Sequence, residues 1–471
     1  MVKDRKMLSD KKRNKTDVTV DFTEGSIPKL ILGFFWPLLL TSVLQQLYNF
    51  ADTLMVGKGL GDHALAAVGN MGSLFFLIVG FSLGIATGFG IVLAQSFGAK
   101  EYDKLKRNLA ATIELAVLIA IILTAVSIVF LPDALKFLRT DEVIINDSLK
   151  YGYIVFGGVA FSIAYNVSAC ILRSLGDSKT PLKAIIISSV LNLILDAVFI
   201  FVLKTGVEGA AIATVISQVV SSGVCIAKLT TIECIKLKRE HFVNEAGVYL
   251  TLIKNGVPMA FMNSITAVGC MVVQYFVNGF GVDYTAAYSA CSKYLNLFMC
   301  PAATAGNAMS AFTSQNFGAK RFDRIKGGLK VCLTISLVTY IVLGSLMVFM
   351  PNTLARILLE GEEPVRLVAG FLPIAGAMII FVDCLFVFRS GVQGMGAPMM
   401  PMLSGVLEMI MRVVTVSTLM GVIGFNAAAF AEISAWLGAL IVNLITFYHL
   451  LLPLLGRKPL SEHRKDVASV A

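Results

Sequence analysis

The sequence predicts an all-α membrane protein, with twelve transmembrane helices arranged as two pseudo-symmetric six-helix bundles. Three observations lead there. Hydrophobic residues fill 56% of the 471 positions and charged residues only 15%, with a mean hydropathy of +0.80. Soluble domains carry about 25% charged residues and their cores stop growing at roughly 250–300 residues, so this apolar excess needs a bilayer as solvent. Apolar runs of the ~20 residues that cross ~30 Å of hydrocarbon recur along the whole chain. Finally, the second half of the sequence repeats the first.

The runs lie near 32–55, 64–93, 109–131, 152–172, 183–203, 209–229, 256–280, 286–312, 331–350, 367–388, 402–420 and 427–451, with 281–312 the least apolar stretch. They lack the strict alternation of a membrane barrel strand, which leaves helices as the way to satisfy the backbone in lipid.

The net charge of +9 is placed as a topology signal. Lys and Arg gather in Lys3 to Lys15, 100–107, 173–183, 228–254, 320–330 and 457–465, all on one side of twelve spans, while Asp133, Asp141, Glu142, Asp147, Glu360, Glu362 and Glu363 fall on the other. The positive-inside rule then puts both termini in the cytoplasm of a plasma or inner membrane, with affinity for anionic lipid rather than nucleic acid. The first 29 residues have no apolar core or small-residue cleavage site, so the first apolar run is expected to remain a span. The eight cysteines fall in spans or basic segments, which argues against structural disulfides and zinc clusters.

The repeat is read from AQSFGAKEYDKLKR at 94–107 and SQNFGAKRFDRIKG at 314–327. Gln95, Phe97 to Lys100, Asp103 and Lys106 recur as Gln315, Phe317 to Lys320, Asp323 and Lys326. Gly59, Gly61, Ala66 and Ala67 return as Gly279, Gly281, Ala286 and Ala287, and Gly176 and Pro181 as Gly396 and Pro401, always 220 residues later. Six helices per copy bring both copies in from the same side, which makes the repeats parallel, as in transporters whose halves rock about a central site. The expected organisation is a tail at 1–29, a first lobe at 30–229, a linker at 230–254, a second lobe at 255–452 and a tail at 453–471. A cavity between two halves of one chain needs no further subunit, so a monomer is expected.

An ionisable side chain at the bilayer centre costs about 2.5–3.5 kcal/mol on the lenient insertion scale, so each one needs a reason. The first half has Asp52, Glu114 and Asp196. Asn192 and Asp196, four apart, share a helix face, and Thr214 in the next span offers a hydroxyl. Two carboxylates, an amide and a hydroxyl suit Na⁺ or a shared proton. The bland readings are an interfacial cap for Asp52 and a buried hydrogen bond for Asp196. The second half has Lys293, Asp383, Arg389, Glu408, Arg412 and Glu432. Glu408 and Arg412, four apart with the acid first, read as a structural ion pair, and Asp383 and Glu432 as a possible second cation or substrate site. Lys293 is read as a neutralising partner for one of these acids. Tyr48, Phe75 and Phe76 offer aromatic contact to a flat cation or ordinary packing. Without GxxxxGK[ST], ATP is not expected as a direct driver, and with four histidines spread along the chain neither a catalytic group nor a metal site beyond Na⁺ is expected.

Five stretches in order resemble the multidrug and toxic compound extrusion (MATE) family over nearly the whole chain. They are LQQLYNFADTLMVG at 44–57, AQSFGAK with its copy SQNFGAK, RSLGDSKTP at 173–181, NLILD at 192–196 and GAAIATVISQ at 209–218. The resemblance implies two six-helix lobes around a central cavity and export of organic cations and other amphipathic compounds in exchange for Na⁺ or H⁺. It also implies a cation site at Asp52, Asn192, Asp196 and Thr214. The family's other pattern, a Glu in the seventh span with an Asp in the tenth, is incomplete here, because 257–280 holds no acid. The rivals are a lipid-linked oligosaccharide flippase, which calls for a strongly basic cavity where this one is expected to be more acidic than basic, and a membrane-embedded enzyme, which calls for a polar cluster that the sequence lacks.

Overall fold

The computed structural model describes residues 19–137, 140–242 and 245–455; the basic tail segments 3–15 and 457–465 lie outside them. The apolar runs fold as helices. In the first half they are α1 (Ile27–Leu60), α2 (Asp62–Gly98), α3 (Tyr102–Phe137), α4 (Glu142–Gly157), α5 (Val159–Ser174), α6 (Lys179–Asp196) and α7 (Gly206–Thr230). In the second half they are α8 (Ala246–Asn278), α9 (Val282–Gly318), α10 (Phe322–Thr339), α11 (Ser345–Phe349), α12 (Pro351–Leu358), α13 (Glu362–Gly394), α14 (Met399–Ile423) and α15 (Asn426–Leu451).

Ten of the described helical stretches are long and apolar enough to cross a bilayer; α4 and α5, bent by 43° at a glycine pair, make one more. The twelfth span is α9, whose 37 residues are long enough but too polar to qualify by hydropathy. A π-helical turn, Ala197–Val202, extends α6, and another, Tyr340–Gly344, joins α10 to α11.

The repeat extends through the last span. Helices α2, α3, α4, α6 and α7 start at 62, 102, 142, 179 and 206, and α9, α10, α13, α14 and α15 start 220 residues later. Left-handed backbone recurs at the same interval: Lys100 at φ 58° and Lys320 at 57°, Gly176 at 83° and Gly396 at 82°. Lys204 at 53° matches Gly424 at 60°, so what repeats there is the turn and not the side chain.

Each half has its own core. Leu93, Leu135, Phe156, Leu172 and Ala210 belong to the first, and Val273, Phe371, Trp436 and Ala439 to the second. A further cluster joins the start of α1 to the second half through Phe22, Phe34, Phe312, Phe388 and Phe447.

The halves interlock at the face that carries the basic loops, called the basic face below. Gln95 Nε2 donates to the Gly394 carbonyl (3.0 Å), and Gln315 Nε2, 220 residues on, donates to the Ser174 carbonyl (2.8 Å), which are themselves 220 apart. A Cβ on Gly98 would stand 1.9 Å from the Gln315 carbonyl oxygen, and one on Gly318 1.9 Å from that of Gln95, so only glycine allows the approach. Residues before α1 lie over this seam: Phe22 N donates to Gln315 Oε1 (2.8 Å), and the Phe22 carbonyl accepts from Arg324 Nη2 (3.0 Å). Away from the basic face, the hydrogen bonds between halves among the described residues reach only to Asn263 Nδ2 on the Gly80 carbonyl (3.2 Å), midway along α2 and α8. Beyond it a cleft opens.

Candidate functional site

Within the first half, α6 presents Asn192 and Asp196 on one face, and both are fully buried. With its amide oriented to suit its neighbours, Asn192 Nδ2 donates to Asp196 Oδ2 (2.7 Å) and its oxygen accepts from the Thr214 backbone N–H (3.2 Å), tying α6 to α7. Asp196 is the last α-helical residue before the π turn, a wider geometry often found at functional positions. Asp52, two turns from the end of α1, turns inward so that its carboxyl approaches that of Asp196. The Tyr48 and Tyr151 hydroxyls approach the Thr214 side chain beside them. One oxygen of each carboxyl, Asp52 Oδ1 and Asp196 Oδ1, is buried without a hydrogen-bond partner, and neither acid has a cationic partner among the described residues. Two facing carboxyls in a low-dielectric interior repel unless a proton or cation lies between them, and oxygen-only donors are those a hard cation prefers. Tyr151 was not singled out from sequence, because no local spacing distinguishes it from Tyr153 or shows that its face meets Thr214.

The second half places its charges differently. Arg412 donates from Nε (3.1 Å) and Nη2 (3.0 Å) to Glu432 Oε2, and its Nη1 lies 3.7 Å from Glu408 Oε2. Arg389 pairs with the other Glu408 oxygen. The four form one buried neutral network linking α13, α14 and α15. Glu432, considered from sequence as a cation or substrate ligand, spends its carboxylate on Arg412. Asp383 is 2% exposed with Oδ1 unpartnered, and no ion pair joins it to another described residue.

Among the other residues singled out, Lys293 is exposed and forms no ion pair with the second-half acids; their cations are Arg389 and Arg412. Phe75 packs against the first-half core, whereas Phe76 is 65% exposed. Glu114 accepts from the Tyr249 hydroxyl across the halves.

The cleft narrows above the seam into a cavity of about 230 Å³. Apolar Phe34, Leu38, Leu83 and Ile91 line it together with hydroxyls and amides, among them Gln45, Asn166, Asn307 and Ser310. Its one charged lining residue is Arg173, which the sequence reading counts with the basic loops. The expectation of a cleft more acidic than basic is therefore corrected. The acid pair lies inside the first half, behind the wall, and the cation is on it.

The family model MatE matches residues 37–198 and again 258–418, one copy per half. The chain belongs to the MatE family. Its relatives include the probable multidrug resistance protein YoeA of Bacillus subtilis, 32% identical over 73% of this chain and 76% of that protein. Among solved structures, MATE in the bent conformation superposes with a TM-score of 0.88 at 19% identity, covering 93% of this chain and 99% of that one. An outward-facing multidrug resistance MATE transporter of the MOP superfamily gives 0.85 at 20% identity, covering 94% and 99%. At such identities these two likenesses speak for the MatE fold alone.

Proposed function

We propose that this MatE protein is a secondary active efflux transporter that moves amphipathic small molecules out of the cell in exchange for Na⁺ or H⁺. The observation that carries the proposal is the facing pair Asp52 and Asp196, whose buried, unpartnered oxygens are left without a protein cation. Such a pair is stable only with an exchangeable positive charge, and so it responds to an ion gradient.

In this reading the basic face is cytoplasmic, as the charge placement favours. The structure is then closed to the cytoplasm by the Gln95 and Gln315 contacts and open outward. Cation arrival at Asp52, Asn192, Asp196 and Thr214 favours one arrangement of α1 against α6 and α7, cargo favours another, and that differential affinity is what couples them. The bent α4–α5 span and Pro37 within α1 supply places where a span gives way. The names of YoeA and of the outward-facing MATE structure support drug-like cargo.

The test uses purified protein in proteoliposomes loaded with a fluorescent amphiphile. An imposed Na⁺ or pH gradient should accelerate dye movement at least about tenfold over an ungraded control, and collapse of that gradient should abolish the gain. Dye movement insensitive to both gradients would end the reading. Because the cleft wall carries Arg173, a lipid-linked oligosaccharide flippase is the second reading; it requires movement of a lipid diphosphate without either gradient.

A further inference from the structure

We infer that the central cleft selects cargo bearing an anionic oxygen group, a carboxylate or phosphate on an amphipathic body, and that Arg173 is the residue that binds it. The inference rests on the efflux reading and specifies its substrate class.

Arg173 is at the end of α5 and lines the narrow part of the cleft beside Asn166, Ser174, Asn307 and Ser310. Its Nε donates to the Ala169 carbonyl (3.2 Å) and its Nη2 to Cys170 Sγ (3.4 Å). A guanidinium has five N–H donors, so three are left without a protein acceptor among the described residues. No carboxylate among the described residues pairs with it, in contrast to Arg389 and Arg412 of the second half. A guanidinium held in a cavity with apolar walls and no counter-ion is a ready partner for a planar anion, because its fork matches carboxylate and phosphate geometry.

Two further observations agree. At the equivalent place 220 residues on, the second half carries Gln393, which is buried and donates to Met262 Sδ, so the fold accepts a neutral side chain here. On helix α9, Asn307 is exposed in the cavity, and Asn296 and Lys293 are exposed farther along the same helix. Lys293 is two heptads from Asn307 and so on the same face, about 21 Å farther along the helix. It forms no ion pair among the described residues, and in this reading it is a second positive charge that an incoming anion meets.

The experiment measures binding of a matched dye pair, a xanthene with a free carboxylate and its methyl ester, to purified protein in phosphatidylcholine nanodiscs. The carboxylate dye should bind about tenfold more tightly than the ester, the size of one charge-assisted contact. Arg173→Gln should erase the preference, weakening the carboxylate dye about tenfold more than the ester, and Arg173→Lys should restore part of it. Lys293→Gln should slow carboxylate association with little change in dissociation. Tighter binding of the ester, or a preference that survives Arg173→Gln, would overturn the inference. Displacement of the carboxylate dye by phosphatidylglycerol in the nanodiscs would assign the site to a lipid headgroup and overturn it as stated. The same dyes in the gradient assay keep the two claims separable. Gradient-driven transport that favours the ester contradicts only the cargo class, whereas selective binding with no gradient response contradicts only the exchange mechanism.

Discussion

Where the first half of the repeat carries Asn192, the second carries Arg412; Ser188 is matched by Glu408, Asp196 by Val416, Asp52 by Val272 and Thr214 by Ser434. The backbones coincide in helix starts and in left-handed turns, yet the interiors treat charge in opposite ways. The first encloses two facing acids with no basic partner among the described residues. The second encloses two acids and two arginines in mutual contact, a neutral set that needs no ion from outside, and beside it a single acid, Asp383, with no facing carboxyl and no ion pair among the described residues. The repeat thus supplies two matching frames, one with a facing acid pair and the other with a paired charge network. What the difference teaches is that an ionisable residue within a span is informative only together with its partner.

The comparison can be broken most readily in the first half. Asp196→Asn should lower gradient-driven efflux by about a hundredfold or more, while the unfolding temperature in detergent stays level or rises, since a repelling charge has been removed. A large loss of stability with normal efflux would reverse the assignment of the two interiors. The second half should show the opposite. Arg412→Met leaves Glu408 and Glu432 underpaired, and breaking a buried pair costs about 3–5 kcal/mol, so the variant should unfold at markedly lower temperature or denaturant. Replacing Arg389, Glu408, Arg412 and Glu432 together with apolar residues of similar volume should recover much of that loss, as read by the same unfolding curves.

Two smaller effects sharpen the symmetric part of the comparison. Gly98→Ala and Gly318→Ala each set a methyl against backbone oxygen, so both should hold the basic face open. Labelling of a cysteine at Ser310 by a water-soluble maleimide from the side of the basic face should rise to a similar degree in each. Gln95→Leu removes one contact between halves, worth about 0.5–1.5 kcal/mol, so the same labelling should rise no more than about tenfold; Gln315→Leu removes two, to Ser174 and from Phe22, and should raise it further. Unequal responses of the two glycine variants would show that the seam is less symmetric than its geometry.

Much of the fold was legible in the sequence because bilayer length and the backbone's need for hydrogen bonds leave few alternatives for twenty-residue apolar runs. The polar α9 was legible as the least apolar of the runs, and its copy supported it, since Gly281, Ala286 and Ala287 repeat Gly61, Ala66 and Ala67. Asn192 and Asp196 were legible because four-residue spacing fixes a shared helix face. The pairing of Arg412 with Glu432 was not, because it joins two helices and no local spacing encodes which faces meet. Tyr151 was hidden for the same reason. Arg173 was misread because loop charges and the last turn of a helix look alike in sequence, and only packing shows that this one lines the cleft.

The central claim is that the unneutralised acids of the first half tie cargo movement to a cation. Accumulation against exchange in proteoliposomes, compared for wild type and Asp52→Asn, tests it most directly. The account predicts that Asp52→Asn still equilibrates labelled cargo across the membrane but no longer concentrates it when a Na⁺ or pH gradient is imposed. Undiminished gradient-driven accumulation by that variant would contradict it.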